Sequence, residues 1–343
     1  MQTADRDSLP VPIAPAARQS GLRVAVLVPC FNEAVAIGKV VRDFRAALPA
    51  ATIYVYDNNS SDGTGDRAAE AGAVVRREPL QGKGNVVRRM FADVEADVYV
   101  LVDGDDTYDA AAAPHLIELL EAESMDMVNA ARVTEGGAGY RPGHRFGNVA
   151  LTSIVQFIFG KRITDLLSGY RVLSRRFVKS FPALSSGFEV ETELTVHALE
   201  LRMPLAEVPA RYRDRPAGSA SKLRTFRDGF RILRTIALLL KEERPLQFFT
   251  WAFVALAATS LALAGPVVTE YLRTGLVPRF PTAILSTGIM LLAFHSLFSG
   301  LVLDTVTHGR REMKRMAYLA IARRSTAAAA GAGAAQGADG DSR

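Results

Sequence analysis

The chain has 343 residues, and its 41 basic and 36 acidic side chains give a formal net charge of +5. Cys30 is the single cysteine, which excludes an internal disulfide and is typical of a reducing compartment. Hydrophobic residues make up 49% of the sequence and concentrate near the C-terminus. This distribution favours a membrane-attached protein over a soluble one. Residues 1–20 lack the apolar core of a signal peptide, and we expect them to be disordered.

Strands and helices alternate in the first part of the chain. The patterns predict strands at 23–28, 52–56, 73–76 and from 98 onward, and helices at 34–48, 63–71 and 82–95. Pro29 is expected to end the first strand, and Asp62 or Ser61 to cap the second helix. This succession predicts an α/β fold with a mainly parallel sheet and right-handed crossovers.

The most informative segment is 98–109, in which an apolar run leads into an acidic cluster. Ligands of such sheets bind just beyond the carboxyl ends of the strands, where Asp103 and Asp105 are expected. Two carboxylates separated by one glycine can share Mg²⁺ or Mn²⁺ that also holds a diphosphate. Taken alone, the same segment also fits a solvated acidic turn.

Two later segments, Leu246–Val268 and Pro281–Leu303, contain no charged residue. Each is long enough to cross a hydrocarbon core of about 30 Å as a helix. We therefore predict a two-helix transmembrane anchor at 245–305. Thirteen basic residues flank it: Lys222, Arg224, Arg227, Arg231, Arg234, Lys241, Arg244, Arg310, Arg311, Lys314, Arg315, Arg323 and Arg324. Only Arg273 and Arg279 lie in the connection, so both flanks are expected to be cytoplasmic.

Residues 222–244 place apolar side chains at helical spacing between basic ones, which predicts an interfacial amphipathic helix. Because a candidate span follows directly, membrane lipid is a better partner for this helix than nucleic acid. Residues 306–343 are basic and then rich in alanine and glycine, which predicts a cytoplasmic tail with a disordered end.

Several motifs resemble family 2 glycosyltransferases. Four of them occur in the order and spacing of that family: Val28–Glu33, Asp57–Thr64, Gly82–Gly84 and Asp103–Asp105. Four later ones resemble its polyprenyl-phosphate, dolichol-phosphate mannosyltransferase-like branch: Asp165–Arg171, Gly187–Glu193, Glu207–Pro209 and Arg215–Lys222. The resemblance covers about residues 22–245. It implies a glycosyltransferase A-type nucleotide-sugar-binding domain, which we place at 21–221.

The resemblance also implies roles for individual residues. Those expected to bind the nucleotide sugar are Pro29, Glu33, Asp57, Lys83 and Asp103, and those expected to hold the metal are Asp103 and Asp105. Those expected to bind the acceptor phosphate are Arg145, Ser168, Arg171, Arg215 and Lys222, and Asp105 and Arg171 are the expected catalytic residues. The sequence departs from many relatives at Asn58, where they have aspartate, and from some at Thr107, where they have glutamine.

The implied reaction is an inverting transfer of a hexose-type sugar from a nucleotide diphosphate sugar to polyprenyl phosphate. It would take place at the cytoplasmic face of the inner membrane. The sequence leaves open the sugar, the choice of UDP or GDP, and self-association through the membrane helices. Alternatives are another lipid or polysaccharide acceptor, a non-catalytic nucleotide-sugar sensor, and a haloacid-dehalogenase-like phosphatase suggested by Asp-x-Asp-x-Thr at 103–107. A processive synthase is disfavoured because the sole tryptophan, Trp251, lacks the Gln-x-x-Arg context of that family.

Overall fold

The computed structural model describes residues 21–134, 152–153, 155–156, 160, 163–187, 189–213, 238 and 241–322. The strands are β1 Val24–Cys30, β2 Thr52–Asp57, β3 Val74–Arg77, β4 Val98–Leu101, β5 Met127–Thr134, β6 Arg171–Ser174 and β7 Leu205–Tyr212. The helices are α1 Ile37–Ala47, α2 Thr64–Glu70, α3 Lys83–Asp93, α4 Ala113–Ala122, α5 Arg175–Ser180, α6 Val190–Glu200, α7 Pro245–Thr274 and α8 Phe280–Ala320. A short 3₁₀ turn, Ala110–Ala112, precedes α4.

The strands form one sheet in the order β3-β2-β1-β4-β6-β5-β7. Strands β1 to β4 pair in parallel, as do β5 and β7, while β6 runs antiparallel to both β4 and β5. The prediction of a mainly parallel sheet is therefore confirmed. The antiparallel β6 has no counterpart in the sequence-based expectation.

Helices cover both faces of the sheet, because successive side chains of a buried strand point to opposite sides. On β1, Leu27 belongs to the cluster that includes side chains of α3, α5 and α6. Its neighbours Val26 and Val28 belong to the other cluster, with side chains of α1, α2 and α4. The α/β domain therefore has three layers, with the sheet in the middle.

The first strand is longer than predicted, because Pro29 lies inside β1 instead of ending it. Pro29 pairs with Tyr56 of β2, whereas the pairing of β1 with β4 ends at Leu27. Leu27 accepts a hydrogen bond from Val102 on the β4 side, and two residues later Pro29 faces the same side, beyond the end of β4. The missing N–H of the proline therefore costs no sheet hydrogen bond.

Two other boundaries also differ from the expectation. Helix α1 begins at Ile37, because residues 33–36 form a turn in which Glu33 O accepts the amide hydrogens of Ala36 and Ile37. Helix α2 begins after Gly63, and the Asp62 carboxylate accepts the N–H of Thr64 at 3.1 Å.

The two C-terminal helices are candidate membrane spans by length and composition, with 30 residues in α7 and 41 in α8. They contain the two predicted apolar segments. They also pack closely, since a Cβ on Gly300 would lie 2.8 Å from Cβ of Phe249. Helix α8 continues through residue 305, the predicted end of the anchor. Most of the predicted interfacial helix at 222–244, and the ends 1–20 and 323–343, lie outside the described residues.

Candidate active site

The candidate site lies at the carboxyl edge of the parallel strands. Strands β1 and β2 end side by side at Cys30 and Asp57, and β4 ends at Leu101, two residues before Asp103. Since parallel strands end at the same edge, the Asp57 and Asp103 motifs are brought to one side of the domain. The Val28–Glu33 motif follows β1 at that edge.

A three-residue ionic cluster forms the centre of this edge. The Lys83 ammonium lies 2.5 Å from Asp103 Oδ1 and 2.5 Å from Glu191 Oε1. Burial alone would lower the pKa of Lys83, but the charges of Asp103 and Glu191 outweigh it and raise that pKa above its ordinary value. Lys83 is therefore a fixed cation between the carboxylates of Asp103 and Glu191.

Close backbone approaches shape this cluster. A Cβ on Gly169 would overlap the Asp103 carboxylate, and Cβ atoms on Gly82 and Gly84 would overlap the carbonyl oxygens of Ser186 and Ser185. Gly82 also has φ +130°, a conformation that other residues rarely adopt. Glycine at these positions lets three loops meet around the cluster.

Asp105, two residues after Asp103, is buried. Its Oδ1 accepts hydrogen bonds from the Thr107 hydroxyl at 2.6 Å and from the Thr107 N–H at 3.3 Å. Thr107, where some relatives have glutamine, thus orients this carboxylate.

Asp103 and Asp105 have the hard oxygen donors that Mg²⁺ and Mn²⁺ prefer. The described part of the chain contains no group of three or more His, Cys, Asp or Glu side chains suited to a metal. Two carboxylates would fit a Mg²⁺ or Mn²⁺ site that is completed by further oxygen ligands from outside the chain.

The residues expected to bind the nucleoside line the same edge. Pro29 pairs with Tyr56, one residue before the end of β1. The largely buried Glu33 donates its N–H to Thr64 Oγ1 at 2.9 Å. Asp57 Oδ1 accepts the N–H of Ser60 at 3.0 Å, which fixes the loop after β2. Their role in donor binding stays a prediction.

Asn58 links two loops of the site. Its amide group donates to Glu78 O and Leu80 O, each at 2.8 Å, and its Oδ1 accepts the N–H of Gly82 at 2.7 Å. An ionised aspartate could not donate the first two hydrogen bonds. Asn58 therefore holds the turn that presents Lys83.

Arg171 lies in an environment that does not fit the predicted contact with the acceptor phosphate. The side chain is 0% exposed and donates to Leu166 O at 2.8 Å, Ser168 O at 3.1 Å and Thr195 Oγ1 at 2.8 Å. Burial lowers the pKa of Arg171 to about 10, which leaves it protonated at neutral pH. Its donors are directed at the protein interior, so we correct its assignment to a clamp on the 166–168 loop.

Ser168 is also unsuited to its predicted contact with the acceptor. Its hydroxyl is fully buried and donates to Ala130 O at 2.6 Å. The next residue, Gly169, lies against Asp103 and donates its N–H to the Tyr108 hydroxyl at 2.8 Å. The segment 168–169 therefore packs against Asp103 and Tyr108. The other predicted acceptor residues, Arg145, Arg215 and Lys222, lie outside the described residues.

Sequence reasoning missed Glu191 as part of the site. It lies 108 positions after Lys83 on α6, in the Gly187–Glu193 motif, whose repeated glutamates were the only signal. Its second carboxylate oxygen is buried and has no hydrogen-bond partner among the described residues. The cluster thus retains an acceptor for a bound group. Glu193, two residues later, accepts hydrogen bonds from the N–H groups of Leu184 and Ser185 and holds the loop before α6.

Comparison with known proteins identifies the class of protein. Residues 25–181 match the profile of glycosyl transferase family 2. Glycosyltransferase AglJ of Haloferax volcanii is 33% identical over 303 residues, which cover 86% of this chain and 98% of that protein. The chain belongs to the family 2 glycosyltransferases. Family membership agrees with the resemblance found in the motifs. It argues against the alternative of a haloacid-dehalogenase-like phosphatase.

More specific names occur among other relatives. A dolichyl-phosphate hexose transferase of Haloferax volcanii is 30% identical over 64% of this chain and 95% of its own length. An undecaprenyl-phosphate mannosyltransferase of Micrococcus luteus is 26% identical over 58% of this chain and 87% of its own length.

Solved structures share the fold. Glucosyl-3-phosphoglycerate synthase of Mycobacterium tuberculosis, solved with Mn²⁺, UDP-glucose and glycerol 3-phosphate, matches with a TM-score of 0.55 at 23% identity. The match covers 68% of this chain and 86% of that structure. The α/β domain therefore has the expected glycosyltransferase A-type fold, followed by two candidate membrane helices.

Proposed function

We propose that this glycosyltransferase transfers a hexose-type sugar, with inversion, from a nucleotide diphosphate sugar to polyprenyl phosphate at the cytoplasmic face of the inner membrane. The observation that carries the proposal is the Lys83–Asp103–Glu191 cluster at the carboxyl edge of the sheet, in a chain with two candidate membrane helices. The relatives named for transfer to dolichyl and undecaprenyl phosphate support the choice of acceptor.

The chemistry requires one displacement at the sugar. An oxygen of the acceptor phosphate forms a bond to the anomeric carbon, and the bond to the diphosphate breaks with its electron pair leaving on the diphosphate. A divalent cation held by Asp103 and Asp105 would neutralise charge on that leaving group. Lys83, which pairs with Asp103, would add a second positive charge beside the leaving group.

The acceptor needs positioning more than activation. A phosphate monoester has its second pKa near 6, so it is mostly dianionic at neutral pH and is already a nucleophile. Cations must therefore hold it close to an equally negative donor. With Arg171 assigned to the interior, Arg145, Arg215 and Lys222 remain the proposed acceptor ligands.

Purified protein tested with undecaprenyl phosphate and Mn²⁺ against UDP and GDP sugars of glucose, mannose and N-acetylglucosamine would identify the donor. Asp105→Asn should then reduce transfer on the order of a hundredfold or more, because it removes one carboxylate from a two-carboxylate metal site. The protein should remain folded and membrane-bound.

Asp106→Asn is the matched control, because it makes the same change one residue later. Asp106 pairs with Lys39 at 2.7 Å instead of facing the cluster, and Asn tolerates its φ of 59°. We expect near-normal transfer in this variant. Transfer at the wild-type rate in excess EDTA would contradict the metal assignment. Absence of transfer with every donor would contradict the proposed acceptor.

A further inference from the structure

One face of α8 continues from the apolar part of the helix into its charged C-terminal part. Buried residues recur on it every seven positions, at Ser286, Ala293, Gly300 and Thr307. A seven-residue spacing keeps one face of a helix against a packed neighbour. In the apolar part that neighbour is α7, whose Ser260 hydroxyl donates to Ser286 O at 2.7 Å.

Beyond Thr307, the same face meets the α/β domain. Lys314, seven residues later, places its Nζ 2.7 Å from Glu200 Oε2, and Arg311 Nε lies 3.3 Å from Glu200 Oε1. Glu200 is the last residue of α6, and its side chain is 0% exposed. A carboxylate buried this deeply requires cationic partners, and α8 supplies two.

A second contact lies one turn further along α8. The Tyr318 hydroxyl donates to Asp126 Oδ2 at 2.6 Å, and the Arg176 guanidinium lies 4.5 Å from the centre of the Tyr318 ring. Asp126 is fully buried and directly precedes β5. Tyr318 also packs against the apolar cluster that includes side chains of α3, α5 and α6.

Helix length shows where these contacts lie relative to a membrane. A 41-residue helix is about 60 Å long, about twice the thickness of the hydrocarbon core. If residues 281–303 cross the membrane, residues 304–320 extend about 25 Å beyond it. The contacts at Glu200 and Asp126 therefore fix two points of the α/β domain to the rigid helix α8. Two fixed points set the height of the domain above the membrane and its tilt relative to the membrane.

We propose that Arg311, Lys314 and Tyr318 are positioning residues that hold the α/β domain at the height and tilt where its site reaches a phosphate embedded in the membrane. This inference rests on the proposed transfer to polyprenyl phosphate. It assigns to the end of α8 a role in the use of membrane-bound acceptor, separate from donor binding and from the chemical step.

The test compares two acceptors, long-chain polyprenyl phosphate in liposomes and a short, water-soluble isoprenyl phosphate, with the full-length protein reconstituted in the same liposomes. Lys314→Glu replaces the cation that faces Glu200 with a carboxylate and should open the contact. We expect kcat/KM for the embedded acceptor to fall on the order of tenfold or more, because misplacement of a reactant strongly slows its reaction. Transfer to the soluble acceptor and nucleotide-sugar binding by calorimetry should stay close to wild type.

Two further variants complete the design. Arg315→Glu makes the same charge change at an exposed neighbouring position and should leave both acceptors unaffected. Lys314→Arg preserves the ion pair and should retain use of the embedded acceptor. Tyr318→Ala removes the contact with Asp126 without adding charge. This variant tests the positioning role if Lys314→Glu does not fold.

The possible results separate this inference from the proposed function. Equal losses with both acceptors in folded Lys314→Glu, or in Tyr318→Ala, would overturn the positioning role. Equal losses in Arg315→Glu and Lys314→Glu would also overturn it. A wild-type protein inactive with both acceptors would instead overturn the proposed function.

Discussion

The guanidinium of Arg171 makes buried hydrogen bonds that join the 166–168 loop to α6. Its substitution is therefore expected to lower the free energy of unfolding. The side chain closes the loop 166–168 by donating to two carbonyl oxygens, and it reaches across to Thr195 on α6. Lysine offers three donors at one point and cannot reproduce this planar arrangement. Buried carbonyls would be left without partners.

Arg171→Lys should therefore lower the free energy of unfolding by about 2–4 kcal/mol, since hydrogen bonds to charged groups contribute about 1.5–3 kcal/mol each. Thermal or denaturant unfolding of the detergent-solubilised chain measures the change. Arg175→Lys is a matched control, because Arg175 is partly exposed and pairs with Glu95 at 3.4 Å. Normal stability combined with a raised KM for polyprenyl phosphate would restore Arg171 to the acceptor site.

At the scale of elements, local patterns predicted the first four strands and three helices well. The alternation of apolar runs with amphipathic segments is visible within windows of roughly 11–18 residues. It also placed Asp57 and Asp103 at one edge of the sheet. Pro29 was misjudged because the cost of a proline in a strand depends on how far the neighbouring strand extends.

Contacts between distant parts of the chain could not be predicted in the same way. The insertion of β6 between β4 and β5 and the pairing of Glu191 with Lys83 depend on tertiary arrangement. The same limit explains Arg171. Its motif was recognised, but only packing shows that the side chain faces inward.

Helix α6 carries a histidine that should make stability depend on pH. His197 packs against the rings of Phe177 and Phe181, and its Nε2 lies 3.2 Å from the Ser180 hydroxyl. Burial, with a smaller effect of Lys314, lowers the pKa of His197 to about 3. Between about pH 6.5 and pH 3, the unfolded chain therefore binds a proton that the folded protein does not bind.

Stability should accordingly fall as the pH is lowered through this range, by about 2 kcal/mol between pH 7 and pH 5 from this residue alone. His197→Gln should remove that part of the pH dependence, even if it changes stability at pH 7. Denaturant unfolding at the two pH values measures the difference. His115→Gln, at an exposed position of α4, should keep the wild-type slope. An unchanged slope in His197→Gln would show that His197 binds its proton as readily in the folded protein as in the unfolded chain.

At the scale of the whole molecule, the structure and the charge pattern give two separate arguments about sidedness. The ion pairs between α8 and Glu200 require residues 311–318 and the α/β domain to lie on the same side of any membrane that α7 and α8 cross. The positive-inside rule then favours the cytoplasm for that side. The short connection between the two helices would then lie on the opposite side of the membrane. Arg279, just before α8, pairs with Glu270 in the last turns of α7 at 3.2 Å.

Single-cysteine labelling tests this arrangement directly. Cys30 is the sole native cysteine and is buried, so introduced cysteines can be read against a low background. A membrane-impermeant thiol reagent applied to intact cells should label Thr274→Cys, which lies at the exposed end of α7, and should leave Ser325→Cys unlabelled until the cells are opened. The expectation follows from the thirteen basic residues in the flanks against two in the connection. Labelling of Ser325→Cys from outside would reverse the orientation, and it would also place the candidate site on the side where cytoplasmic nucleotide sugars cannot reach it.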